Sequence, residues 1–181
     1  MPVQLPYLVS YKNLAPLFDK IASAKIPDSF TQDFLKTTIG LKGSSDRALI
    51  PFLRNLGFID QSGRPTSSYS FLKGSNRKGA LAAGVRKAYA PLFDADQLAN
   101  QLTGDKLKSL VAQVAGTDDD MTGRIANTFA AVVRIGNFEV ANVDQGDEKK
   151  KGEEEDEDQN EFEHKSRGGR PRTEFHYNLQ I

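Results

Sequence analysis

The sequence predicts a mainly α fold: a winged helix-turn-helix with a C-terminal helical extension, an acidic disordered linker and a terminal β-strand. Three observations predict it. Two short helical patterns flank a turn bounded by Gly40 and Gly43, and a hairpin pattern follows at once between 58 and 72. Apolar residues then recur at helical spacing as far as Val133, and from Asn142 the composition turns almost wholly charged or polar. The organisation that follows is a winged helix-turn-helix over 1–75, a helical module over 76–141 read as a packing or protein-contact module with a second, degenerate helix-turn-helix as the alternative, a disordered charged linker over 142–172, and an isolated strand over 173–181.

The first helix is expected from Asn13 as cap, with Pro16 tolerated in the first turn and Leu14, Leu17, Phe18, Ile21 and Ala22 forming one apolar stripe. Ser29 and Gln32 have capping-box spacing, so a second helix should start there, with Phe30, Phe34 and Leu35 inward until Gly40 and Gly43 break it. Ser44 or Ser45 should cap the third, in which Leu49, Phe52, Leu53 and Leu56 face the core and Gly57 is the stop. Pro51 conflicts with a helix running straight from Ser45, because it removes an internal hydrogen bond unless the helix begins later or bends there.

Phe58, Ile59 and Asp60, a turn of Gln61, Ser62, Gly63 and Arg64, and an alternation of Ser68 and Ser70 against Tyr69 and Phe71 predict a hairpin over 58–72 with Arg64 near its tip. A helix over 78–93 should place Leu81, Val85, Ala88, Tyr89 and Leu92 inward and Arg86 and Lys87 outward. Leu98 and Leu102 open a short helix, and Leu107, Leu110, Val111 and Val114 mark the next, closed by Gly116. Capped by the Asp118 to Asp120 cluster, a longer helix carries Met121, Ile125, Phe129, Val132 and Val133 and stops at Gly136. A shift of 76 residues lays Gly40, Leu49, Leu53 and Leu56 on Gly116, Ile125, Phe129 and Val132, a weak internal echo. The three Asp residues admit a metal-ligand reading, but consecutive carboxylates at a helix start are explained by capping and the helix dipole.

At 181 residues, with 38% hydrophobic and 27% charged, the chain can bury one ordinary core or two small ones. It has no apolar run long enough to span a bilayer, no Cys for disulfides or thiolate metal sites, and neither a basic region nor an apolar core for a secretory signal at its start. The cytoplasm is the expected compartment, and no membrane partner is expected. The zero net charge conceals segregation. Residues 1–93 carry 13 Lys and Arg against 5 Asp and Glu, whereas residues 142–163 carry 3 against 11. A basic half of this kind suits a polyanion, although a solvated basic surface has the same composition.

The order of short motifs resembles a known family. Ile26-Pro27-Asp28-Ser29-Phe30-Thr31, Ser44-Ser45-Asp46-Arg47, Leu49-Ile50-Pro51, Leu56-Gly57-Phe58-Ile59-Asp60, Gly63-Arg64-Pro65-Thr66 and Ala88-Tyr89-Ala90-Pro91-Leu92-Phe93 are similar to an uncharacterised bacterial and archaeal family, domain of unknown function 5343, over residues 5–140. The resemblance implies a mostly helical, winged-helix-like fold and no reaction.

Function then rests on residue chemistry. Two His, no Cys, no phosphate-loop glycine pattern and no spaced carboxylate pair in an apolar setting leave nothing on which to build a catalytic mechanism, so neither an enzyme nor a cofactor is expected. The expected partner is double-stranded DNA. Arg47 and Arg54 of the third helix should reach the major groove, with Lys42, Ser44 and Ser45 at its start, Arg64 on the wing and Lys73, Arg77 and Lys78 prolonging the surface. The alternative is an interaction adaptor that recruits a protein through 94–141, the acidic tail or the strand 173–181. Arg167-Gly168-Gly169-Arg170-Pro171-Arg172 resembles the core of a minor-groove AT-hook with one extra Gly, but a Gly/Pro-rich turn entering the last strand explains the same residues and is the preferred reading. That strand has no sheet to join in this sequence, as at the start of a further domain or in a strand that pairs with a partner chain.

Overall fold

The computed structural model describes residues 3–138. The linker, the Arg-Gly-Gly-Arg segment and the terminal strand expected over 142–181 lie outside the described residues. An extended segment leads from Val3 into α1, Leu14–Ser23, followed by α2, Gln32–Thr37. A 3-10 turn, Ser44–Ala48, runs directly into α3, Leu49–Asn55. Beyond a tight turn come α4, Ser67–Phe71, α5, Arg77–Ala88, and α6, Ala90–Ala95; a 3-10 turn, Ala99–Gln101, then leads to α7, Gly104–Ala115, and α8, Asp119–Ile135. The fold is mainly helical. Among the described residues the one β feature is an isolated antiparallel bridge between Ile59 and Pro65, and no helix is long and apolar enough to cross a membrane.

Helical spacing decides most of these elements. Leu14, Leu17, Phe18 and Ile21 are buried along α1, and Ile125, Phe129 and Val132 along α8, each complete burial of such a side chain being worth ~1.5–3 kcal/mol. Gly40, Gly57 and Gly116 end α2, α3 and α7 with φ of 84°, 80° and 61°, a left-handed conformation that only a residue without Cβ adopts freely. α2 starts later than its capping-box spacing predicts. Thr31 is the cap, accepting from the Phe34 N–H at 3.1 Å, while the Ser29 hydroxyl donates to the Ser62 carbonyl.

Three expected elements change form. Pro51 divides the third helix: a 3-10 turn fills 44–48, and α3 begins at Leu49, so proline falls in a first turn whose N–H groups have no intrahelical acceptor. The second arm of the hairpin, expected as a strand to Leu72, is a single bridging residue, Pro65, followed by α4. The Ser/aromatic alternation misleads because only Tyr69 of the two rings is buried; its inward companion is Leu72, three residues on, whereas Phe71 is 62% exposed. The helix expected over 78–93 breaks at Tyr89, since Pro91 cannot donate to the carbonyl four residues back and its ring crowds that carbonyl, so α6 restarts with proline in its first turn.

The described residues of both expected modules, 1–75 and 76–141, lie within one compact unit. The extended N-terminal segment joins them. The Leu8 N–H donates to the Thr128 hydroxyl at 3.0 Å, the Tyr89 hydroxyl donates to the Pro6 carbonyl at 2.8 Å, and Leu5 and Leu8 are buried in the core. Edge-to-face ring contacts continue that core from Tyr89 to Phe129 and on to Phe93, with centroids 4.9 and 5.9 Å apart.

Candidate nucleic-acid interface

The stretch entering α3 is organised by a carboxylate turned inward. Asp46 is buried; its Oδ1 accepts from Asn13 Nδ2 at 2.6 Å and its Oδ2 from the Gly43 N–H at 2.8 Å. One oxygen therefore closes the 3-10 turn and the other fastens it to the residue preceding α1. Gly43 leaves room for this closure, since a Cβ there would lie 2.8 Å from Asp46 Oδ2. Asn13 thus serves the turn and not the helix end, where its side chain caps nothing. The outward residues of the turn are Lys42, Ser44, Ser45 and Arg47, all exposed. Between Asp33 and Asp60 the sequence has no carboxylate other than Asp46, so burying it leaves the solvent side of this stretch without a negative charge. Neither Lys42 nor Arg47 makes an ion pair among the described residues.

Arg54 is placed differently from Arg47. Arg47 sits in the 3-10 turn, whereas Arg54 lies in the last turn of α3, half-buried, with its Nε enclosed and no hydrogen-bond partner for that atom among the described residues. The two do not share the face of one continuous helix, as their spacing of seven predicts, because the backbone changes from 3-10 to α between them.

Arg64 is exposed on the tight turn between Phe58 and Thr66. Asp60 shapes that turn: its Oδ1 accepts from the Ser62 hydroxyl at 2.7 Å and the Arg64 N–H at 2.9 Å, and these bonds hold its carboxyl below the usual carboxylate range. The turn is docked and not free-standing, since the Phe30 N–H donates to the Gly63 carbonyl at 2.7 Å and Gly63 is buried with φ of 84°. The Thr66 hydroxyl closes its other end by donating to the Gly57 carbonyl at 2.7 Å.

Two of the expected phosphate contacts are engaged inside the protein. The Lys73 ammonium donates to the carbonyls of Ile21, Ala22 and Ala24, where the last turn of α1 leaves acceptors unsatisfied and the helix dipole favours a cation. Arg77 Nη2 lies 2.8 Å from Asp19 Oδ1, a partly exposed pair between α5 and α1. Lys78 is exposed on the first turn of α5, and its backbone carbonyl accepts from the Asn137 N–H.

At the opposite end of the sequence the Asp cluster is used structurally. Asp118 Oδ1 accepts from the Met121 N–H at 2.8 Å, and Asp120 pairs with Arg124 at 2.9 Å along α8. Among the described residues no group of three His, Cys, Asp or Glu could hold a metal ion. Sequence reasoning missed Asp46 and Thr128. Asp46 follows Gly43 at capping-box spacing, which is the one signal that could have found it; Thr128 carries no local signal, since its partner is 120 residues away.

These features define a small helical protein with an outward cationic turn ahead of α3. The chain belongs to the family described as "Family of unknown function (DUF5343)", which it matches over residues 6–143. No curated protein and no solved structure matches it.

Proposed function

We propose that this chain binds double-stranded DNA, with α1 to α3 acting as a helix-turn-helix whose wing is reduced to the docked turn around Arg64. The observation that carries this reading is the inward rotation of Asp46, which leaves Lys42, Ser44, Ser45 and Arg47 as an uninterrupted cationic and hydroxyl surface ahead of α3. Exposed Lys and Arg supply the phosphate term, which is independent of sequence, and hydroxyls at a turn add hydrogen bonds to phosphate oxygens. Arg64 and Lys78 extend the surface. Arg54, half-buried, makes a smaller contribution, and Lys73 and Arg77 make none while their cations are held by α1.

Affinity of the full chain for a duplex, measured against salt, tests this. Arg47→Ala, Lys42→Ala and Arg64→Ala are each expected to lower the log–log slope by ~0.9, the release of one phosphate contact, while Arg77→Gln leaves the slope unchanged. Salt-independent binding, or a slope indifferent to Arg47, refutes the assignment.

A further inference from the structure

Away from the cationic turn, two grooves, one mixed in character and one mainly apolar, meet at one lysine. The larger, of about 800 Å³, runs between the N-terminal segment, α5 and the α7–α8 corner, with Leu5, Pro6, Met121 and Ile125 in its walls beside the uncharged polar Asn55 and Thr117. The smaller, of about 260 Å³, lies between the end of α3, α4 and α5, and Phe71 stands on its edge with 62% of its surface exposed. Lys87 lines both. It is the one charged residue in either lining, neither lining contains a carboxylate, and it has no hydrogen bond or ion pair among the described residues. Its ammonium lies beside Gly57, 3.1 Å from where a Cβ would be, so glycine at the end of α3 leaves the room in which the cation rests.

We propose that this surface docks a peptide segment of a partner protein in which an acidic residue stands between apolar ones, the carboxylate meeting Lys87 and the apolar side chains entering the grooves on either side. Charge and shape together select this occupant. A lining free of carboxylates with a lone cation shared by both grooves repels a cationic segment and gives nucleic acid a single phosphate contact, whereas a carboxylate flanked by apolar groups satisfies the lysine and the apolar walls of both grooves. Two grooves divided by a lysine stem suit successive side chains of a chain better than one compact molecule. Phe71 is the aromatic anchor on the protein's side, of the kind that dominates interface energies.

Panning a random dodecapeptide library against the immobilised full chain tests this. The expected result is enrichment of peptides with Asp or Glu flanked by bulky apolar residues. Their affinity should fall about tenfold with Phe71→Ser and about fivefold with Lys87→Glu, and changing the peptide's acid to Lys should recover affinity for Lys87→Glu alone. Both positions are exposed, so circular dichroism of each variant should match the parent. The proposal is overturned by failure to enrich any peptide, by enriched peptides without the acid, or by affinities indifferent to both variants. A concentration-dependent dimer that Phe71→Ser dissolves, in the absence of peptide enrichment, assigns the face to a second copy and equally overturns it.

Discussion

Tyr69 shows how a single residue can be both the best-packed part of a core and a cost to it. Its ring is 1% exposed and meets Phe30 edge to face at 6.3 Å, yet its hydroxyl is buried with no hydrogen-bond partner among the described residues. Burial pushes the phenol up to about 12 from its ordinary value of 10.0. A raised pKa in the folded state means that its contribution to stability is fully present below pH 10.0 and is lost as the pH rises from there through about 12. Tyr69→Phe keeps the ring and deletes the orphaned oxygen. It should stabilise the fold by ~1–2 kcal/mol at neutral pH, seen as a higher urea midpoint with an unchanged slope, and should blunt the alkaline loss. A destabilised variant would show that the hydroxyl has a partner.

Among the elements, two glycines in helices make opposite contributions that sequence alone cannot separate. Gly84 in α5 lies where the helix crosses the end of α3; a Cβ there would come 2.9 Å from the Leu56 carbonyl oxygen and 2.9 Å from the Phe58 ring. Gly123 in α8 has nothing within 4 Å of that position. Gly84→Ala should therefore cost ~1–3 kcal/mol by overpacking, and Gly123→Ala should gain ~0.5–1 kcal/mol from helix propensity, both read from urea unfolding. Equal effects of the two would refute the close crossing. The same distinction bounds what the sequence made legible. Apolar periodicity located α1, α7 and α8 with their buried faces, and the stops at Gly40, Gly57 and Gly116, because those depend on spacing and backbone freedom alone. It misjudged α4, where two consecutive alternations imitate a strand over only five residues, and joined α5 to α6 across Pro91. Of the candidate site, the exposed positions of Lys42, Ser44, Ser45 and Arg47 were legible. The diversion of Lys73 to α1 and of Arg77 to Asp19 was not, since each depends on a partner about 50 residues or more away.

For the molecule as a whole, the decisive contact is one that closes the chain upon itself. The Leu8 N–H is bonded to Thr128 Oγ1, and Thr128 in turn donates to the Arg124 carbonyl at 2.7 Å within α8, so the segment ahead of α1 is hydrogen-bonded to α8 across 120 residues. Leu8 and Thr128 are 2% and 0% exposed, which leaves water no access to the bond in the native state. A segment attached this way cannot fray by a small local opening. Its amide must wait for α8 to separate from the rest of the unit, an opening close to complete unfolding. Native-state hydrogen exchange should therefore give Leu8 a protection comparable to that of the slowest amides of α8, while the exposed neighbour Val9 exchanges far sooner. Thr128→Val fills the same volume but strands the Leu8 donor, at a cost of ~1–3 kcal/mol, and should drop Leu8 protection well below that of the α8 amides. If Leu8 exchanges as fast as Val9 in the parent protein, the segment is not part of the cooperative unit. The larger groove would then lose the wall that Leu5 and Pro6 give it.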